Sequence, residues 1–127
     1  MNFRDLTIIF IGGGLGSVTR FSLGKWISSF YSHHFPYGTL FVNVLACFIL
    51  GVLVGVADHK QIISPNARLF WTVGFCGGFS TFSTFSSETM TLIQTGFPFS
   101  SVVYVLASLL LCLAATYLGL YLGEHIN

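Results

Sequence analysis

Long stretches of this chain carry no formal charge: residues 6–19, 26–57, 69–87 and 89–123 contain no Asp, Glu, Lys or Arg. A helix that crosses the hydrocarbon core of a bilayer needs roughly 20 mostly apolar residues. His33, His34 and Pro36 split the second window, and Gly96 and Pro98 split the fourth. The pattern predicts four spans, at about 5–30, 37–57, 66–95 and 97–123. They are joined by short turns into one all-α transmembrane domain over 1–127. Charged residues make up 7% of the chain, against about 25% in soluble domains. A soluble monomer of this size could not cover its surface with so few. The net charge of +1, with no basic cluster, excludes a nucleic-acid surface.

Cys47, Cys76 and Cys112 all fall inside apolar stretches, with no metal-ligand spacing, and read as small packing residues. The first apolar stretch lacks a strongly basic leader and reads as an uncleaved span. Four spans place both termini on one side with Arg4, Lys60 and Arg68, and leave Lys25 and the deeper Arg20 on the other. Loop Lys and Arg normally fix orientation. Here the bias is nearly absent, so one weakly determined orientation and insertion both ways stay open. Gly51 and Gly55, Gly74 and Gly78, and Gly119 and Gly123 are spaced for close helix packing. Four such helices leave no room for an internal aqueous pore, so a pathway would lie between subunits.

The third span carries the chemistry. Gly77-Gly78 predicts a break in the helix near mid-membrane, because each glycine weakens a helix by about 1 kcal/mol relative to alanine. Freed carbonyls there bind a cation and freed N–H groups face an anion; the alternative is glycines that only permit tight packing. Eight hydroxyls follow within residues 80–91: Ser80, Thr81, Ser83, Thr84, Ser86, Ser87, Thr89 and Thr91. Thr81, Thr84, Ser87 or Glu88, and Thr91 recur at helical spacing as a polar stripe. Hydroxyls donate without carrying charge, as a dehydrated small anion requires. Phe79, Phe82 and Phe85 interleave with them, and aromatic rings have positive edges that favour an anion. Asn43 on the second span, and Tyr104 with Ser108 on one face of the fourth, add neutral hydrogen-bonding groups. Arg20 and Glu88 are the deeper ionisable groups, either functional or paired with each other.

Gly77-Gly78-Phe79-Ser80-Thr81-Phe82-Ser83-Thr84-Phe85 resembles the third-helix motif of the Fluc/CrcB fluoride channel family. Gly38-Thr39-Leu40-Phe41-Val42-Asn43 resembles its second-helix motif, and Gly12-Gly13-Gly14-Leu15-Gly16 with Arg20 its first. Tyr104 and Ser108 match its fourth-helix positions, so the resemblance spans the chain. It implies an antiparallel, dual-topology homodimer of four-helix subunits, the third helix broken, in the bacterial inner membrane. It implies two passive, selective fluoride pathways near the subunit interface that export the ion and relieve its toxicity. Phe82 and Phe85 would give ring edges, Asn43 a donor, and Thr39, Ser83, Thr84, Tyr104 and Ser108 the polar lining. Arg20 would contribute to a positive vestibule; the helical spacing noted above separately makes Thr81, Ser87 and Glu88 candidates for a second polar track. A structural Na⁺ at the dimer centre would be held by the backbone carbonyls of Gly77 and Ser80 from both subunits.

Three rivals come from other classes. A small proton-coupled transporter needs an embedded acid, for which Glu88 is the one choice, and it lies off-centre. An intramembrane hydrolase using Ser80 or Ser83 needs a base within reach, but His33, His34, His59 and His125 lie at span ends or in turns. An assembly subunit of a larger complex would be inactive alone. No Gly-rich phosphate loop ending in Lys-Ser/Thr is present.

Overall fold

The computed structural model describes residues 2–60 and 62–126, with side chains except at 59 and 60. Gln61 and the side chains of His59 and Lys60, in the turn expected at 58–65, lie outside the described residues.

The described chain is all-helical. Helix α1 spans Phe3–Ser28. Asn2 caps it by accepting from the Arg4 N–H at 2.9 Å, and Asp5 and Lys25 match its dipole at opposite ends. Helix α2 spans Tyr37–Lys60 and follows Pro36. Helix α3, Pro65–Arg68, starts at the Ser64 cap with Pro65 in its first turn. It continues through a wider π-helical stretch, Leu69–Cys76, into α4, Gly77–Phe79. Helix α5 spans Phe82–Gln94 and α6 spans Pro98–Glu124. Between α5 and α6 the chain reverses at Gly96, where φ is +93°. The Phe97 N–H reaches the Leu92 carbonyl and the Gly96 N–H that of Ile93, closing the end of α5 as a Schellman turn.

Among the described residues, three helices are long and apolar enough to cross a membrane. They lie at Phe3–Ser28, Tyr37–Asp58 and Pro98–Glu124, with mean hydropathies of 1.4, 2.7 and 2.2. The chain is a multi-pass membrane protein. The third span, expected at 66–95 with one interruption, is divided at Ser80–Thr81 into two shorter helical pieces within Pro65–Gln94.

Glycines set the packing. Gly51 and Gly55 of α2 meet Gly119 and Gly123 of α6 so closely that a Cβ at any of them would meet the other helix's backbone. The ascending order of these pairs makes α2 and α6 parallel. Gly12 and Gly16 of α1 face Phe70, Gly74 and Phe75 in the same way, and Gly78 faces Gly13. Val42 and Ala46 of α2 and Phe79 of α4 form the core cluster, with Leu23, Leu45 and Phe75 packed against it. Large apolar side chains such as Phe10, Phe21, Leu110 and Tyr117 cover the outside, where lipid replaces water as solvent.

The break corrects the sequence expectation. Gly77 keeps helical angles (φ −63°, ψ −38°), and the chain becomes extended only at Ser80 (φ −86°, ψ 156°) and Thr81 (φ −151°, ψ 122°). At Gly78 the small residue serves contact, since a Cβ would strike the Gly13 carbonyl oxygen. What decides the position of the break is the partner waiting for Thr81.

Candidate functional site

Asn43 is that partner. Its Nδ2 donates to the Thr81 carbonyl at 3.1 Å, and its Oδ1 accepts from the Thr81 N–H at 2.9 Å. This reciprocal pair satisfies both backbone groups of the extended residue, where water is scarce and unpaired backbone is costly. The Thr81 hydroxyl then caps α5. It accepts from the Thr84 N–H at 3.2 Å and donates to the Thr84 hydroxyl at 3.1 Å, with Ser83 Oγ at 3.4 Å.

These diversions free specific groups. In an unbroken helix the Thr81 N–H would serve the Gly77 carbonyl and the Thr84 N–H that of Ser80. Both donors are taken by side chains instead, so these two carbonyls lose their helical partners. The Gly78 carbonyl receives Arg20 Nε at 3.2 Å. At the other side of the break, Phe82 and Ser83 open α5, where first-turn N–H groups have no helical acceptor. Among the described residues neither N–H takes another partner. The break therefore presents carbonyl oxygens at one end and N–H donors at the other.

A cavity of ≈ 270 Å³ adjoins the break. Asn43 and Cys47 of α2, Ser80, Thr81, Phe82 and Phe85 of the broken region, and Ser108, Leu109, Cys112 and Leu113 of α6 line it. The Phe82 and Phe85 rings lie 5.4 Å apart at 52°. Phe82 is 77% exposed on the subunit surface, while Phe85 is half-buried. Ser108 is buried at 7% exposure, and its Oγ is a buried side-chain atom without a hydrogen-bond partner among the described residues. An unsatisfied buried hydroxyl facing a cavity calls for a ligand or water.

Of the residues expected in the site, Asn43, Ser80, Thr81, Phe82, Phe85 and Ser108 come together here. Ser83 is exposed beside the Thr81 cap, and Thr84 is held by it. Thr39 lines a different cavity of ≈ 430 Å³ with Gly24, Lys25, Ser28 and Ser29. Tyr104 is fully buried, and its hydroxyl donates to Glu88 Oε1 at 3.2 Å, with the Phe85 ring 5.1 Å away. Thr39 sits against this Glu88–Tyr104 pair. Glu88 also borders a third space, ≈ 390 Å³, with His33, His34 and Thr91. Ser87 is exposed, and its carbonyl accepts from the Thr91 hydroxyl at 3.0 Å. Arg20 and Glu88 do not pair among the described residues, since each has the partner just named. Gly77 and Ser80 border a smaller space of ≈ 110 Å³ between Ala46, Thr72 and Cys76.

Sequence reasoning missed Cys47, Leu109, Cys112 and Leu113. The signal was present on α6, since 108, 109, 112 and 113 share one helical face. Apolar residues and thiols on a hydrophobic helix, however, look like packing.

The profile of the CrcB-like protein family (camphor resistance, CrcB) matches residues 7–120. A protein of Geobacter metallireducens named fluoride-specific ion channel FluC is 42% identical over 123 residues, covering 95% of this chain and 99% of its own. A protein of the same name from Geotalea daltonii is 40% identical over 122 residues, covering 94% and 98%. Another from Pyrococcus furiosus is 42% identical over 125 residues, covering 98% and 100%.

Proposed function

This chain belongs to the CrcB-like family, and from that membership and the geometry of the break we propose that it is a passive fluoride channel rather than an enzyme. The observation that carries the reading is the cavity beside Ser80–Thr81. There a buried Ser108 hydroxyl without a partner, two aromatic rings and the open end of α5 converge.

Fluoride enters a cell as the neutral weak acid and dissociates inside. Membrane potential, negative inside, drives the trapped anion out through a pore without ATP. A small anion sheds water only where donors replace it, because an unpaired ion in a low-dielectric space is expensive. Ser108 Oγ and the first N–H groups of α5 supply neutral donors, and ring edges of Phe82 and Phe85 supply positive potential. Asn43 has one of its two amide hydrogens committed to Thr81, which leaves the other to face the cavity. The Thr39–Glu88–Tyr104 cluster, with Thr84, Ser83 and Ser87, forms a second polar stretch along α5. Arg20 keeps the approach to Gly78 positive.

The subunit works as an antiparallel, dual-topology homodimer of four spans each, with the third broken, in the inner membrane. Two features favour a second copy. Phe82, a wall of the cavity, is 77% exposed on a single subunit, and charge bias between the two sides is nearly absent. The Gly77 and Ser80 carbonyls, having lost their helical donors, fit a Na⁺ ion, and the same pair from two subunits would hold it at the dimer centre. When bound, such an ion supplies fixed positive charge that ties the two breaks together.

The test is fluoride efflux from liposomes holding the purified protein, read with a fluoride electrode after valinomycin releases the K⁺ gradient. Rapid release that depends on valinomycin, with chloride retained and no dependence on a proton gradient, is expected. Absence of release from folded dimers would sink the reading.

A further inference from the structure

Cys47 on α2 and Cys112 on α6 line the ≈ 270 Å³ cavity together. Both are free thiols, and both are partly accessible. Neither belongs to the hydrogen bonding that holds the break. The pairing of Gly51 with Gly119 and of Gly55 with Gly123 sets position 47 beside position 115. Cys112 therefore lies less than one helical turn, ~3.6 residues, from the point opposite Cys47. Both thiols border the same cavity at this seam. The third cysteine, Cys76, is buried at 3% exposure and borders, together with Cys47, the smaller space of ≈ 110 Å³.

The two sulfurs are the only soft donors lining the cavity; Asn43, Ser80, Thr81 and Ser108 add neutral amide and hydroxyl groups, and no carboxylate or imidazole joins them among the described residues. No His, Asp or Glu lines the cavity, and among the described residues no group of three or more such ligands forms. Hard cations need oxygen cages, and structural zinc needs four ligands. Soft cations choose thiolates, and those that accept two ligands need no more. Two thiols on adjacent helices, in a cavity whose remaining polar groups are all neutral, therefore fit a soft, two-coordinate metal ion.

We propose that Cys47 and Cys112 form a binding site for a soft, thiophilic, two-coordinate cation, and that its occupation obstructs the cavity. With HgCl₂ as probe, each sulfur exchanges its proton for a bond to the metal, the two chlorides leave as Cl⁻, two protons leave to water, and no oxidation occurs. The metal ties α2 to α6 about one helical turn along α6 from Ser108, within the cavity that both helices wall. The binding half of the proposal stands on the thiols alone; the obstruction half rests on the channel reading.

The experiment titrates HgCl₂ into the purified protein in proteoliposomes. Each sample is then unfolded in SDS with maleimide and read by intact mass. One Hg²⁺ per subunit should protect two of the three thiols, and in Cys76→Ser the same two should remain protected. Cys47→Ser and Cys112→Ser should each weaken binding by ~10²-fold or more, the loss expected when one of two preorganised ligands is removed. Fluoride efflux by the unmutated protein should fall at one Hg²⁺ per subunit and return with dithiothreitol. Protection that survives either single substitution, or that requires Cys76, would overturn the site. Two protected thiols with unchanged, robust efflux would overturn the obstruction. Two protected thiols in a protein that never passes fluoride would leave the site standing and remove the channel.

Discussion

Asn43→Ala tests whether the break in the hydroxyl-rich region is held from outside. The Asn43 amide makes two hydrogen bonds to the backbone of Thr81, at 3.1 and 2.9 Å. Hydrogen bonds between membrane helices average ~0.6 kcal/mol by double-mutant cycles. On that scale the pair contributes about 1 kcal/mol, but the scale assumes that freed groups find new partners. Thr81 is partly buried, so truncation strands a donor and an acceptor, each costing ~1–3 kcal/mol. The Thr81 carbonyl retains the first helical bond of α5, which limits its penalty. The expected loss is therefore about 2–4 kcal/mol. Asn43→Asp keeps the acceptor for the Thr81 N–H and the shape, but loses the Nδ2 donor and sets an acid beside the cavity. It should unfold less readily than Asn43→Ala yet conduct fluoride more poorly than stability alone explains. The assay is reversible unfolding by SDS in mixed micelles, paired with hydrogen exchange at the Thr81 amide and with efflux. An Asn43→Ala protein within about 0.5 kcal/mol of the parent, with the Thr81 amide still slow to exchange, would refute the reasoning. The extended backbone at Ser80–Thr81 would then hold itself.

Ser108→Ala should separate function from stability: removing a buried hydroxyl without a partner leaves thermal stability unchanged or raised, while fluoride efflux falls. Gly78→Ala should fail to assemble, since its Cβ would strike the Gly13 carbonyl oxygen, whereas Gly77→Ala, with nothing within 4 Å, should fold within a subunit; yields of monodisperse protein by gel filtration decide both. Removing Na⁺ in favour of a large organic cation should weaken dimers of the parent, read by crosslinking, if the Gly77 and Ser80 carbonyls hold that ion. His34 stacks on Phe97 at 3.7 Å and bonds Ser100 at 2.9 Å. Desolvation, then the neighbouring His33, lowers its pKa below the ordinary 6.5. The folded state thus favours neutral His34 and the unfolded chain binds more protons, so this contribution is present above pH 6.5 and is lost as pH falls through the lowered folded value. Thermal melts across that range should show the decline, and His34→Gln should flatten it.

The sequence by itself determined what depends on composition and local pattern. Charge-free windows marked α1, α2 and α6 as membrane-length helices, since crossing a bilayer is a matter of length and apolarity. Clustering marked residues 80–91 as the chemically distinctive stretch, because eight hydroxyls exceed what a packing helix needs. Pro36, Pro98 and Gly96 marked the turns by their own backbone restrictions. Only the tertiary structure decided where the third region breaks. Gly77-Gly78 has the weakest local preference for helix, yet it stays helical, while Ser80 and Thr81 leave it. A break settles where a distant side chain satisfies the backbone it exposes, and Asn43 lies 38 positions away in the chain. The same long-range packing divided the expected site. It sent Tyr104 inward to Glu88 and brought Ser108, Cys47 and Cys112 to one cavity. Helical spacing shows which residues share a face; which face meets which neighbour is settled by how closely glycine seams let the helices approach.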